Sequence, residues 1–255
     1  MSLADKTNLP AAMKAMVFAA GLGSRMRPLT DTTPKPLVKV GGKAMIDTLL
    51  DALAQAGVSE AVVNVHHLAD QIETAMQQRR SPKITISDER GALLDQGGGL
   101  KKALPIFGAQ PFFICNTDAI WIEGPVSNLK RLRAQWDPAK MDILLMVAST
   151  TDAVGVDWAG DFKMADDGRL ARRKEGEVVP FAYSGVGIIK PELIAAVQQD
   201  VFRLAPLFFE AAEKGRLYGM RLDGHWLHVG TMEAIAQAEA VILQARNEGP
   251  VLTGT

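Results

Sequence analysis

The sequence predicts an α/β fold in which helices cover both faces of a mostly parallel sheet. Short apolar runs alternate with segments of helical periodicity through the first 150 residues. Each apolar run has the length of a buried strand, and turn residues separate it from the next helical segment. A strand–helix–strand order of this kind is typical of parallel βαβ units.

The first half of the chain divides into regularly alternating elements. Strands are expected at residues 15–20, 61–65, 84–87, 112–115 and 143–148. Apolar side chains at helical spacing predict helices over residues 46–53, 68–76 and 98–104, and Gly57 is a plausible end for the first of them.

The pattern changes after residue 150. Residues 161–164 and 170–173 flank an Asp-Gly turn, which predicts a β-hairpin. Further strands are expected at 183–189 and 216–222, and helices at 204–214 and 232–245. We expect these elements to extend the same sheet. The ends of the chain, 1–12 and 248–255, are predicted to be a flexible leader and a frayed tail.

Composition excludes several classes of protein. The chain of 255 residues carries 28 Lys and Arg against 29 Asp and Glu, a net charge of −1, which gives no basic surface for nucleic acid or membrane. No apolar run reaches the ~18–20 residues of a membrane span, so we expect a cytoplasmic protein. The single cysteine, Cys115, excludes an internal disulfide and is expected to be a buried, inert thiol.

A glycine-rich loop with cations follows the first predicted strand. Gly21 and Gly23 allow the backbone to approach an anion closely, and Arg25 and Arg27 come directly after them. Lys35 stands between two prolines a little further on. Arginine forks onto phosphate oxygens and lysine is a compact point charge. The pattern therefore predicts a phosphate site, with a solvated basic loop as the alternative.

Two well-known phosphate motifs are absent from this loop. The pattern GxxxxGK[ST] does not occur, and in GxGxxG the last glycine is replaced by Met26. A nicotinamide-dependent dehydrogenase is therefore disfavoured.

The loop resembles the signature of the sugar-1-phosphate nucleotidyltransferases, GxGxR followed by a Pro-Lys pair. Gly21, Gly23, Arg25, Pro34 and Lys35 match it, and the resemblance extends across most of the chain. It implies a Rossmann-like three-layer sandwich with a mostly parallel, mixed sheet. It also implies one domain over residues 13–247, with a nucleotide-binding part at 13–150 and a sugar-binding part at 151–247.

The resemblance assigns roles to particular residues. It implies that Arg25 holds the β- and γ-phosphates and that Lys35 neutralises charge on the reacting phosphates. Nucleotide-binding roles are implied for Ala20, Gly21, Gly23, Gln96, Gly97 and Gly98. Sugar-binding roles are implied for Asn116, Tyr183, Ser184 and Gly185, and more weakly for Lys174 and Glu175, which could equally belong to a solvated charge run.

The Gly-Gly-Gly form at residues 97–99 most resembles the uridylyltransferases that act on N-acetylmuramate 1-phosphate, whereas the guanylyltransferases usually have a Gly-Thr-Ala-Gly-like form. We therefore expect a nucleoside triphosphate, UTP in the first place, and a sugar 1-phosphate as substrates, in peptidoglycan recycling. Mannose-1-phosphate guanylyltransferase is the alternative, with a cytidylyltransferase behind it. A non-catalytic nucleotide-sugar sensor is the alternative of another class. Monomer and homo-oligomer both stay open.

A metal site is expected at the end of the fourth strand. The resemblance implies that Asp118 binds Mg²⁺, with Mn²⁺ as an alternative ion. His228 stands where the family segment W-x-D-[VI]-G-T has its metal-binding Asp. Imidazole is a poor ligand for Mg²⁺. Three interpretations follow: Mg²⁺ is held by Asp118 without His228, His228 binds a softer ion, or His228 only hydrogen-bonds a phosphate or the sugar.

Overall fold

A mixed sheet of nine strands forms the centre of the described part of the chain. The computed structural model describes residues 13–151 and 153–248. The leader predicted at 1–12 and the tail predicted at 248–255, apart from residue 248, lie outside the described residues.

The strands and helices follow the predicted alternation. The strands are β1 (Ala15–Phe18), β2 (Lys39–Val40), β3 (Lys43–Ala44), β4 (Glu60–Val65), β5 (Lys83–Asp88), β6 (Phe112–Asn116), β7 (Ala119–Glu123), β8 (Ile143–Ser149), β9 (Phe162–Met164), β10 (Leu170–Arg172), β11 (Phe181–Ile189), β12 (Leu217–Arg221) and β13 (Gly224–His228). The helices are α1 (Met45–Gln55), α2 (Ala69–Gln77), α3 (Asp95–Phe107), α4 (Asn128–Gln135), α5 (Pro191–Ala195), α6 (Ala205–Glu213) and α7 (Met232–Glu248).

The large sheet is parallel on one side and mixed on the other. Its strand order is β5-β4-β1-β6-β11-β8-β12, and the hairpin β9–β10 joins the beginning of β11. The strands β5, β4, β1 and β6 are all parallel. Only β11 runs against both of its long neighbours, β6 and β8, while β12 is parallel to β8. The predicted α/β fold with a mostly parallel, mixed sheet is confirmed.

The two faces of the sheet bury separate apolar clusters. All four residues of β1 are buried, because helices cover both faces. Val17 packs in the cluster that also contains apolar residues of α1, α2 and α4. Met16 and Phe18 pack on the opposite face with residues of α3, α5 and α6. The three layers place the loops that follow β1, β5 and β6 at one edge of the sheet.

Several elements were not predicted from the sequence. The ribbon β7–β13 pairs Trp121 with Trp226, more than 100 residues apart, and such pairing leaves no local signal. The polar helix α4 buries only Asn128, Leu129 and Leu132, too few apolar positions for a clear helical period. The third predicted helix begins earlier than expected, at Asp95, so the glycine triplet lies inside α3.

Two smaller expectations can be compared with the structure. Cys115 is fully buried, and burial raises the pKa of its thiol, as expected for an inert cysteine. Among the described residues, no helix has both the length and the apolar composition to cross a membrane.

Candidate active site

An open cleft of about 560 Å³ lies at the edge of the sheet where the parallel strands end. Open α/β sheets bind ligands in this position. Its walls come from the ends of β1, β4 and β6, from the segments after β1, β5 and β6, from the start of α3 and from two more distant residues, Val201 and Gly230. The lining residues are Phe18, Ala19, Ala20, Gly21, Gly23, Ser24, Arg25, Lys35, Pro36, Asn64, Glu89, Leu93, Asp95, Gln96, Asn116, Thr117, Asp118, Val201 and Gly230.

The glycine-rich loop is held by a hydrogen bond to Thr30 at Gly23 and is open to the cleft at Gly21. Gly23 has φ 64°, and a Cβ there would lie 2.9 Å from Cγ2 of Thr30. The buried Thr30 donates a hydrogen bond from Oγ1 to the Gly23 carbonyl oxygen at 2.8 Å. Gly21, by contrast, has no described atom within 4 Å of the position of a Cβ. The loop is thus held in one conformation with open space at Gly21 for an anion.

Lys35 and Asp118 form a sheltered ion pair in the wall of the cleft. Lys35 Nζ lies 2.5 Å from Asp118 Oδ2, and the two side chains are only 14% and 19% exposed. Burial alone would raise the pKa of Asp118, but the charge and hydrogen bond of Lys35 outweigh it and hold that pKa below its usual range. Asp118 is therefore ionised, and a cation of fixed position faces the cleft.

His228 and Arg25 converge on the same part of the cleft. A Cβ on Gly230 would lie 2.9 Å from His228 Nε2 and 3.1 Å from Arg25 Nη1, so the ends of both side chains lie close to this glycine. Burial, with the positive charges of Lys35 and Arg25, lowers the pKa of His228 against the opposing charge of Asp118. The imidazole is therefore neutral at physiological pH.

Two tryptophans fix the ring of His228. The Trp158 ring stands edge-on to the imidazole with 5.3 Å between centroids, and the Trp226 ring lies 5.4 Å away. A ring confined in this way has little freedom to change its orientation, so Nε2 stays directed towards Arg25 and Gly230.

Asn64 and Glu89 form a buried polar pair that sequence reasoning missed. Asn64 accepts a hydrogen bond from the Ala19 N–H at 2.7 Å and donates one to Glu89 Oε1 at 2.8 Å. Glu89 Oε2 is buried and has no hydrogen-bond partner among the described residues. Burial raises the pKa of Glu89, while hydrogen bonds from the Asn64 side chain and the Leu94 backbone to its carboxyl group oppose this rise. A position at the end of a parallel strand was the only available signal, since Glu89 directly follows β5.

Gln96 and Asn116, predicted for the nucleotide and the sugar respectively, both line the cleft and contact each other. Gln96 Nε2 donates a hydrogen bond to Asn116 Oδ1 at 2.8 Å. Gly185, with φ 87°, packs against the other side of Asn116, because a Cβ there would lie 3.1 Å from Asn116 Cβ. The structure thus brings three of the predicted residues together.

Gly97 and Gly98 do not line the cleft. Both are buried, and their N–H groups donate to the Phe202 carbonyl oxygen at 2.8 and 3.3 Å. The N–H groups of Gly97 and Gly98, expected to contact a base, are therefore already bonded within the protein. Gln96 does line the cleft.

The structure does not bring the remaining predicted sugar residues into the cleft. Ser184 is fully buried and donates from Oγ to the Met146 carbonyl oxygen at 2.8 Å. Tyr183 packs edge-on against Phe208, and burial raises its pKa well above the usual value. Lys174 and Glu175 are exposed in the segment between β10 and β11.

A metal ion in this cleft would need phosphate oxygens of a bound nucleotide as ligands in addition to protein side chains. Within residues 13–151 and 153–248 there is no group of three or more His, Cys, Asp or Glu side chains able to hold a metal ion. Asp118 lines the cleft beside Lys35 of the phosphate loop, and its carboxylate is ionised. A single carboxylate completed by phosphate oxygens and water suits Mg²⁺, which keeps several waters in most protein sites.

Comparisons with known proteins agree with this geometry. A family model described as a MobA-like NTP transferase domain matches residues 15–246. The N-acetylmuramate alpha-1-phosphate uridylyltransferase of Caulobacter vibrioides is 46% identical over 91% of this chain and 97% of its own length. The enzyme of the same name from Neisseria meningitidis is 34% identical over 90% and 98%. Mannose-1-phosphate guanylyltransferase catalytic subunit beta of Danio rerio is 29% identical over 93% of this chain and 67% of its own length.

The fold also has solved relatives. The crystal structure of HddC from Yersinia pseudotuberculosis superposes with a TM-score of 0.72 over 90% of this chain and 99% of that chain, at 21% identity. At this identity the likeness concerns the fold alone.

Proposed function

The chain belongs to the family of MobA-like NTP transferase domains, and we propose that it transfers a uridylyl group from UTP to N-acetylmuramate 1-phosphate, with release of pyrophosphate. The observation that carries the proposal is the sheltered Lys35–Asp118 pair beside an anchored phosphate loop. The identity of 46% to a uridylyltransferase, along nearly its whole length, supports the choice of substrates.

The proposed reaction depends on stabilising negative charge on the phosphates more than on proton transfer. A phosphate oxygen of the sugar 1-phosphate forms a bond to the α-phosphorus of UTP, and the bond from that phosphorus to the oxygen bridging to the β-phosphate breaks. Pyrophosphate leaves with that bridging oxygen. The attacking oxygen is already anionic near neutral pH, so no general base is needed, and positioning with electrostatic stabilisation carries most of the catalysis.

The cations of the cleft have distinct parts in this reaction. Arg25, whose guanidinium lies beside Gly230, would bind the β- and γ-phosphates that leave as pyrophosphate. Lys35 would stabilise negative charge at the α-phosphate, because its ammonium is fixed by Asp118 before substrate arrives. The open backbone at Gly21 would bind a phosphate oxygen through N–H groups.

A divalent cation fits this donor set. Asp118 would hold Mg²⁺ or Mn²⁺ together with phosphate oxygens and water, and the ion would supply charge neutralisation at the triphosphate when bound. His228, neutral and fixed by two tryptophans, would hydrogen-bond a phosphate or the sugar. Its neutral imidazole suits Mn²⁺ better than Mg²⁺.

The base would lie on the β5 side of the cleft. From β6, which precedes Asp118, to β5, which precedes Glu89, the sheet spans three interstrand spacings, about 14 Å at ~4.8 Å each. Glu89 forms part of the wall at this end of the cleft, but its carboxyl group is buried, so it would order this wall rather than contact the base. Asn64 fixes the orientation of that carboxyl group by holding Oε1.

The sugar 1-phosphate would enter beside Asn116, which Gly185 supports from behind. Tyr183 and Ser184 would not contact the sugar but would fix the position of β11 through their packing. The product would be a nucleotide-linked amino sugar for cell-wall recycling, made in the cytoplasm where UTP is available.

Turnover distinguishes this proposal from its alternatives. The purified chain with UTP, N-acetylmuramate 1-phosphate and Mg²⁺ should release pyrophosphate and form the UDP-sugar, measured by a coupled phosphate assay and by mass spectrometry. Saturable binding of the UDP-sugar without pyrophosphate release, for any base and sugar 1-phosphate, would instead identify a sensor. Turnover with GTP and mannose 1-phosphate alone would favour the guanylyltransferase alternative, which has the more distant relatives.

A further inference from the structure

The segment between α5 and α6 docks on the first turns of α3. The Phe202 carbonyl oxygen accepts hydrogen bonds from the N–H groups of Gly97 and Gly98. One turn further along α3, Lys101 Nζ donates to the carbonyl oxygens of Gln198 and Gln199, each at 3.0 Å. Lys101 also binds Asp200 Oδ1 at 3.0 Å. Residues 198–202, called the docked loop below, are therefore tied to α3 at both ends.

The glycines of α3 are required for this docking. A Cβ on Gly97 would lie 2.3 Å from the Phe202 ring, and a Cβ on Gly98 would lie 2.1 Å from the Asp200 carbonyl oxygen. Both distances are far shorter than any real Cβ contact, and one of the obstacles is backbone. Any side chain at these positions would push the loop away from α3. The glycine pair therefore has a packing role that is independent of a ligand.

The docked loop delivers an apolar side chain to the cleft. Val201 is 58% exposed although it lies between residues that are hydrogen-bonded to α3, and it lines the cleft together with Leu93, itself 42% exposed. The same cleft is lined by Glu89, directly after β5, and by Asp95 and Gln96 at the start of α3. Two branched aliphatic side chains exposed beside a buried carboxyl group make a surface suited to one flat, partly polar ring.

We propose that Val201 and Leu93 contact the face of the nucleobase and that the docked loop is a positioning element for Val201. This rests on the proposed function, which puts the base on the β5 side of the cleft. The sheet spacing from Asp118 to Glu89 leaves that part of the cleft to the base once the phosphates lie at Lys35. Covering the two aliphatic side chains with the ring removes apolar area from water and strengthens nucleotide binding.

The test separates nucleotide affinity from chemistry. Val201→Ala should weaken UTP binding and raise KM for UTP about four- to fifteenfold, as expected for the loss of one to two buried methylene equivalents. Its kcat and its KM for the sugar 1-phosphate should stay within twofold of wild type. Val178→Ala, at an 82% exposed position that does not line the cleft, is the matched control and should change neither constant.

The positioning role is tested at a residue that does not line the cleft. Lys101→Ala should raise KM for UTP in the same direction as Val201→Ala with little change in kcat, and Lys101→Arg should restore most of the affinity. The double variant Val201→Ala/Lys101→Ala should have nearly the same KM for UTP as Val201→Ala alone, since the side chain that the loop positions is already truncated.

Calorimetric titration of UTP with Mg²⁺, without sugar, separates this inference from the proposed function. A wild type that binds UTP here but releases no pyrophosphate in the separate turnover assay with N-acetylmuramate 1-phosphate refutes the proposed reaction, while the ratio of dissociation constants of Val201→Ala and wild type still decides the inference. Three results would overturn the role given to Val201: a ratio of the UTP dissociation constants below two, an equal change in KM for the sugar 1-phosphate, or no UTP binding by wild type.

Discussion

Replacing Lys35 by Met should remove most of the activity and leave the fold intact. Lys35 is the fixed ammonium nearest Asp118, and both side chains are largely shielded from water. A preorganised electrostatic contact of this kind contributes about 2.7–4 kcal/mol to the transition state, so kcat should fall by roughly 10²–10³. Loss of a charged hydrogen bond should lower the free energy of unfolding by about 1.5–3 kcal/mol.

Two measurements on three variants test this reasoning. Pyrophosphate release gives kcat and KM, and urea unfolding gives stability. Lys39→Met, at an exposed position on β2, is the control and should behave as wild type. Lys35→Arg should not restore full activity, because a planar guanidinium cannot replace a compact ammonium in the same space. A kcat for Lys35→Met within threefold of wild type would refute the role given to this residue.

Three further predictions concern the scaffold around the site. Thr30→Val should lower the free energy of unfolding by about 0.5–1.5 kcal/mol and weaken UTP binding, seen by urea unfolding and calorimetry, since it removes the hydrogen bond that anchors the phosphate loop. Burial would raise the pKa of Asp142, but hydrogen bonds from Arg216 and Lys190 outweigh it and hold the pKa below its unfolded-state value of 3.8. The ionised carboxylate therefore stabilises the fold above pH 3.8, and this contribution is lost as the pH falls through the lower pKa of the folded state. Asp142→Asn should therefore be less stable at pH 7 and show a flatter loss of stability below pH 4; an unchanged pH profile would contradict this. Cys115 should react with a thiol reagent only after denaturant unfolds the chain, and rapid labelling of the native protein would show that the thiol is accessible.

The sequence predicts a phosphate site from local signals alone. Gly21, Gly23 and Arg25 lie within five consecutive positions, and Lys35 follows in the same loop, so their spacing alone carries the chemistry. Strands of the parallel half were also predicted, because burial on both faces leaves uninterrupted apolar runs. Boundaries moved by one to three residues.

The base side of the cleft could not be predicted in the same way. Glu89 meets Asn64 only because β4 and β5 are neighbours in the sheet. The glycine triplet has a strong local signal, but that signal does not distinguish a ligand-binding turn from a helix that another segment contacts closely. The docked loop lies about 100 residues further along the chain, and the contact of Gly98 with Asp200 becomes visible only in the folded protein.

A matrix of nucleotides against sugar 1-phosphates tests the proposed substrates most directly. Pyrophosphate release is measured with ATP, CTP, GTP and UTP, each against N-acetylmuramate 1-phosphate, glucose 1-phosphate and mannose 1-phosphate, and kcat/KM is compared across pairs. We expect the highest value for UTP with N-acetylmuramate 1-phosphate. A higher value for GTP with mannose 1-phosphate, or no turnover in any pair, would contradict it.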